Sequence, residues 1–92
     1  MFFAKYIYKI RIMDSFSLKD KRMRRSSIIK RLQNKYKIAV AEVGDYEIHN
    51  SLYIACANVS NNRDILRKTF DEALNMIERD DVEVYDSFYE EY

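Results

Sequence analysis

The hydrophobic period changes repeatedly along this chain, and the order of those changes limits the fold more than any other feature. Tyr6, Tyr8, Ile10 and Ile12 alternate with Ile7, Lys9 and Arg11. Alternation of aromatic and β-branched side chains at every second residue marks a strand with one buried face. The face carrying Tyr6, Tyr8, Ile10 and Ile12 is expected to meet the core, and the other is basic apart from Ile7. From Ser17 the period lengthens. Leu18, Ile28, Ile29, Leu32 and Tyr36 fall within one arc at about 100° per residue, which predicts a helix to near Tyr36. Ser17 and Asp20 have the spacing of a capping box at its start. Ile38–Val43 reads as a second strand closed by Gly44-Asp45, and Tyr46–Asn50 as a polar connection. Leu52–Val59 reads as a third strand, apolar on both faces except for Asn58, which places it centrally in a sheet. Asn61 or Asn62 caps a second helix, with Asp64 where the helix dipole favours an acid. Leu66, Phe70, Ala73 and Ile77 carry this helix to about Arg79-Asp80. Val82–Tyr85 opens a last strand that extends toward Phe88-Tyr89.

Two helices that each connect strands imply an α+β domain, β-α-β-β-α-β, with a four-stranded antiparallel sheet and both helices on one face. The 92 residues make one domain, 1–92, with no linker or repeat. There is no proline, and Gly44 is the single glycine. Turns therefore fall to Asn, Asp and Ser, and Met13–Ser17 and Ser60–Asn62 fit them best.

Several function classes lose their chemistry at this stage. A phosphate cradle needs a glycine-rich loop, and the first turn, Met13-Asp14-Ser15-Phe16, has no glycine. His49 is the one histidine and has no nucleophile or carboxylate at triad spacing. The acid pairs Asp80-Asp81 and Glu90-Glu91 fall at a turn and at the chain end. Cys56 is the one cysteine, so it forms no intramolecular disulfide, and with His49 it falls short of a four-ligand zinc site. The expectation is a protein that is not an enzyme and has no cofactor and no metal. No segment approaches the roughly 20 apolar residues of a membrane span, and the first residues do not read as a secretion signal. A cytoplasmic protein with no membrane partner is expected.

Charge is the informative remainder. The net is +1, yet Lys19–Lys37 holds nine basic residues and one acid, while Asp71–Tyr92 holds nine acids and one base. Such asymmetry bears on partners rather than on fold. Lys19, Lys21, Arg22, Arg24 and Arg25 form the dense start of the basic helix and are the candidate RNA- or anion-binding residues. Acids interleaved with these bases would mark an ordinary solvated face, and they are missing. The other reading is a solvated helix face offset by the acidic third. Lys21, Arg22 and Arg25 fall in the same arc as the apolar positions, and buried charge needs partners. Glu42 and Asp45 are the candidates for structural ion pairs with them, and an anion site at the sheet edge is the alternative.

The blocks Ser17-Leu18-Lys19-Asp20-Lys21-Arg22, Val40-Ala41-Glu42-Val43-Gly44-Asp45 and Val59-Ser60-Asn61 carry a family likeness. In residues and spacing the chain resembles the YlxP-like family of small bacterial proteins of unknown function, over essentially its whole length. The resemblance implies a ferredoxin-like α/β sandwich. The family's genes often stand beside those of translation initiation and ribosome-maturation factors, which implies a role near RNA or the ribosome. The chain departs from the family at Met13-Asp14, where a Pro-Gly turn is usual, at Arg25, where an apolar residue is usual, and at His49, where Trp is common.

The open sheet face supplies a second expectation. RNA-recognition motifs of this topology place stacking aromatics on strands one and three. Here the third strand offers Tyr53 followed by Ala55, and the first offers Ile7. Ile7, Tyr53 and Ala55 suit packing against a second copy better than stacking of bases, so a homodimer is expected through this face. The leading expectation is a binding factor for RNA or a ribosomal subunit that uses the basic helix. The alternative is a homodimeric protein-interaction module without nucleic-acid contact.

Overall fold

Six elements follow the anticipated order in a computed structural model that describes residues 1–92. They are β1 (Phe2–Ile12), α1 (Leu18–Tyr36), β2 (Ala39–Gly44), β3 (Ser51–Ser60), α2 (Arg63–Glu78) and β4 (Val82–Glu91). The sheet order is β2-β3-β1-β4 and every pairing is antiparallel. This is a ferredoxin-like α+β fold. β1 begins four residues earlier than the alternation suggested, because Phe2–Lys5 pair with Ala57–Ser60. β4 runs two residues further than expected, because Glu90 and Glu91 pair with Lys5 and Ala4. At both ends, long-range hydrogen bonding extends strands whose own pattern is weak.

The core lies between the sheet and the two helices. β1 contributes Ala4, Tyr6, Tyr8, Ile10 and Ile12, β3 contributes Leu52, Ile54 and Cys56, and Ile28 and Leu32 of α1 and Leu66, Phe70, Ala73 and Ile77 of α2 close it. Burial of each large side chain contributes roughly 1.5–3 kcal/mol. The two buried tyrosines bring hydroxyls that need partners. Tyr6 Oη donates to the Leu66 carbonyl at 2.5 Å, and Tyr8 Oη donates to the Phe70 carbonyl at 2.9 Å. The match is geometric. Two residues along a strand advance about 6.6 Å. Four residues along a helix advance about 6.0 Å, so consecutive inward tyrosines meet consecutive turns of α2. Asn58, the polar exception in β3, donates Nδ2–H to Tyr6 Oη at 3.1 Å.

Both helices start on side-chain caps. Asp20 N–H donates to Ser17 Oγ at 3.2 Å, and Asp64 N–H donates to Asn62 Oδ1 at 3.0 Å. With so little glycine, the left-handed turn positions go to other residues. Asp14, Asp45 and Asp81 adopt φ of 56°, 54° and 63°, and Lys37 ends α1 at φ 56°. Aspartate tolerates this region better than most residues, whereas lysine does not share that advantage. Gly44 is needed for a different reason. A Cβ there would lie 2.8 Å from Cδ2 of Tyr53, its cross-strand partner, so the missing side chain lets the ring lie across β2.

Candidate nucleic-acid interface

Residues of the basic run end up in two environments. Lys21, which shares an arc with Ile28 and Leu32, has a side chain only 1% exposed. Its Nζ stands 3.1 Å from Oε2 of Glu42, whose side chain is 9% exposed, and donates to the Asp45 carbonyl. Arg25 Nη1 donates to the other Glu42 oxygen at 3.1 Å. Asp45 takes part through its backbone alone, since its carboxylate accepts from Ser51 Oγ at 2.7 Å. A single carboxylate thus holds two cations under the start of α1. Arg22 departs from its sequence reading. It shares the arc of Lys21 yet is exposed and has no acid partner.

Arg24 and Arg31 are also engaged within the fold. Arg24 Nη1 reaches the carbonyls of Asp80 and Asp81 at 3.3 and 3.5 Å, and Arg31 pairs with the Asp80 carboxylate. The basic helix and the acidic third therefore meet at the turn between α2 and β4, and part of the charge asymmetry is cancelled there. Of the five candidate RNA contacts, Lys21 is removed from solvent, Arg24 and Arg25 are partly buried against internal acceptors, and Lys19 and Arg22 stay exposed.

What remains exposed on α1 is a coherent strip. Lys19, Arg22 and Lys30 point away from the sheet without an acidic partner, and Met23, Ser26 and Ser27 lie between them along a shallow depression. Phe16, just before the helix, is 83% exposed, and Met23 is 65% exposed. Lys30 belongs to the basic run read from the sequence as able to contact a phosphate backbone, whereas Phe16 was not among the sequence candidates. Helical phase groups the strip, because positions 19, 26 and 30 fall along one side of the helix beside the apolar arc, with Arg22 at the edge of that arc.

The open sheet face is organised differently. Cross-strand neighbours share a face, so the register reads in rows from β2 to β4. These rows are Ala39-Ala57-Lys5-Glu90, then Ala41-Ala55-Ile7-Phe88, then Gly44-Tyr53-Lys9-Asp86. Ile7, Tyr53 and Ala55 are thus brought together. Lys9 Nζ lies 5.1 Å from the Tyr53 ring centroid and 5.4 Å from that of Phe88. Tyr85, the bulged residue of β4, donates its hydroxyl to Tyr53 Oη at 3.3 Å and lies under Arg11. Lys5 pairs with Glu90 at 3.1 Å and Arg11 with Glu83 at 2.8 Å. His49 is exposed, and its carbonyl accepts from Ser15 Oγ at 2.6 Å, tying the first turn to the β2–β3 connection. Cys56 is buried in the core, and burial pushes its thiol up to about 12. No helix is long and apolar enough to cross a membrane.

No curated protein matches the chain. The profile of one family, described as a protein of unknown function (DUF503), matches residues 4–88, from the first core residue of β1 to the open-face aromatic of β4. The chain belongs to the DUF503 family.

Proposed function

We propose that this protein is a non-enzymatic cytoplasmic binding factor for RNA, bare or within a ribosomal subunit, and that the outer face of α1 is its contact surface. The observation that carries the reading is the sorting of charge on α1. Lys21, Arg24, Arg25 and Arg31 are held by groups of the protein itself, whereas Lys19, Arg22 and Lys30 share an exposed strip with no acid on it. Unpaired cations beside hydroxyls and an exposed aromatic ring suit a phosphodiester backbone and its bases. The YlxP-like resemblance, with its genes beside those of translation factors, supports the same reading.

The contact is electrostatic, so its affinity should fall with salt. Three phosphates neutralised on a duplex give a slope of log K on log salt of about −2.7. The test is co-sedimentation with ribosomal subunits and with structured RNA across a salt series, for wild type and for Lys19→Glu/Arg22→Glu/Lys30→Glu. The triple variant should stay folded and lose binding. A folded triple variant that binds like wild type would refute the assignment to α1. Lys21 and Arg24 are left out of the variant because their reversal would test the fold.

A further inference from the structure

The open face of the sheet has a shape of its own. Between Tyr53, whose ring lies across Gly44, and Val59 at the other end, its β2–β3 half is floored by small side chains, Ala39, Ala41, Ala55 and Ala57. Its β1–β4 half stands higher, with Ile7 and Phe88 in the central row and Phe3 stacked on Tyr92 at 5.6 Å beyond the Lys5–Glu90 row. A trough therefore runs beside a ridge. Phe88 is 49% exposed, and at the end of the trough Phe3, Val59, Tyr92, Lys37 and Ala39 surround a hollow of about 570 Å³.

We infer that this face is covered by a second copy of the chain, packed sheet to sheet about a two-fold axis parallel to the strands between β3 and β1. Such an axis exchanges the two halves and keeps each row opposite itself. Phe88 of one copy then stands over Ala41 of the other, and Ile7 over Ala55, so the ridge of each enters the trough of its partner. Sheets packed face to face lie about 10 Å apart, a gap that a large side chain opposite alanine fills. Charge agrees with shape. Lys37 at the trough end comes near Glu90 of the second copy, and Lys9 comes over the second copy's Tyr53. Lys5 and Glu90 enter the contact already paired with each other. The size reaches the lower end of what a specific interface buries. β1, β3 and β4, each about 33 Å long, and the six-residue β2, about 20 Å long, lie about 4.8 Å apart and give a plan area on the order of 600 Å². The accessible area of so uneven a surface is larger, and a standard interface needs about 800 Å² per partner. A single-stranded nucleic acid suits the face less well, because Glu83, Asp86 and Glu90 line its β4 side. The packing leaves the outer face of α1 uncovered, so it stands or falls separately from RNA binding.

Sedimentation equilibrium of the full chain tests the inference, with circular dichroism to establish that each variant is folded. Wild type should be dimeric in the micromolar range. Ala41→Lys and Phe88→Glu, each alone, should weaken the dimer on the order of a hundredfold. Ile65→Arg, on the exposed side of α2, should leave it unchanged. Mixing Ala41→Lys with Phe88→Glu should restore a heterodimer, because that pairing sets lysine against glutamate at one contact and leaves the other native. A wild type that is monomeric into the millimolar range overturns the inference. So does a dimer that survives both substitutions, and a mixture that stays monomeric overturns the pairing of Ala41 with Phe88.

Discussion

Replacing Glu42 with glutamine should destabilise this protein more than any other single charge change. The carboxylate is 9% exposed and holds the ammonium of Lys21, whose side chain is 1% exposed, together with the guanidinium of Arg25. Removing one partner of a buried pair costs about 3–5 kcal/mol, because the other charge is left without compensation. Two features place Glu42→Gln at the lower end of that range. Lys21 keeps the Asp45 carbonyl, and the Arg25 side chain, 31% exposed, can turn to water. A loss of about 3 kcal/mol is a large fraction of the 5–15 kcal/mol typical of a domain. It should lower Tm by at least about 12 °C in a chain of this size. Lys21→Met has the opposite logic. It deletes the buried ammonium, nearly conserves volume and leaves Glu42 paired with Arg25, so its effect should stay within about 1.5 kcal/mol of zero. Glu83→Gln breaks the exposed Arg11 pair, whose side chains are about half exposed, and should cost at most about 1 kcal/mol. Urea denaturation followed by circular dichroism gives the three values, and an unchanged m-value shows that they report stability. In the Lys21→Met background, Glu42→Gln should become milder by about 2 kcal/mol. If Glu42→Gln is as mild as Glu83→Gln, or if the cycle shows no coupling, the cluster does not hold α1 to β2.

Two further outcomes follow from the backbone and the core. Lys37 closes α1 at φ 56°, so Lys37→Gly should stabilise the fold by about 0.5–1 kcal/mol in the same denaturation assay, and a loss of stability would count against a strained cap. Burial raises the Cys56 thiol from its ordinary 9.0 to about 12, and burial also raises the Tyr8 phenol. A thiol whose pKa is higher in the folded state adds stability that is fully present below about pH 9 and is lost as pH rises toward about 12. Cys56→Ala should therefore flatten the alkaline limb of the stability profile, and native wild type should react with thiol reagents only through unfolding.

The basic helix shows where reading from sequence stops. Its limits, its Ser17 cap and its inward arc follow from local spacing, because a helix repeats at a fixed angle and its cap must lie within hydrogen-bond reach. The same spacing puts Lys21 and Arg22 in one arc, yet one is sealed beneath the helix and the other is in solvent. Glu42 could be named in advance as the partner of buried cations, since it ends an apolar strand. That Asp45 would act through its carbonyl depends on Ser51, which claims its carboxylate.

From sequence alone came the element order, the antiparallel α+β layout, the tyrosine face of β1 and the central place of β3. Each of these is written in periods of two or about 3.6 residues and needs no knowledge of distant neighbours. The tertiary structure decided which cations are free. Arg24 and Arg31 lose their availability to Asp80 and Asp81, about fifty residues later, at a turn whose position depends on how α2 returns to the sheet. It also decided the relief of the open face. Alanines on β2 and β3 and large side chains on β1 and β4 are unremarkable in sequence, and only the register sets them in rows as a trough beside a ridge. Local geometry sets which way a side chain points, whereas what it meets depends on chain folded in from far away.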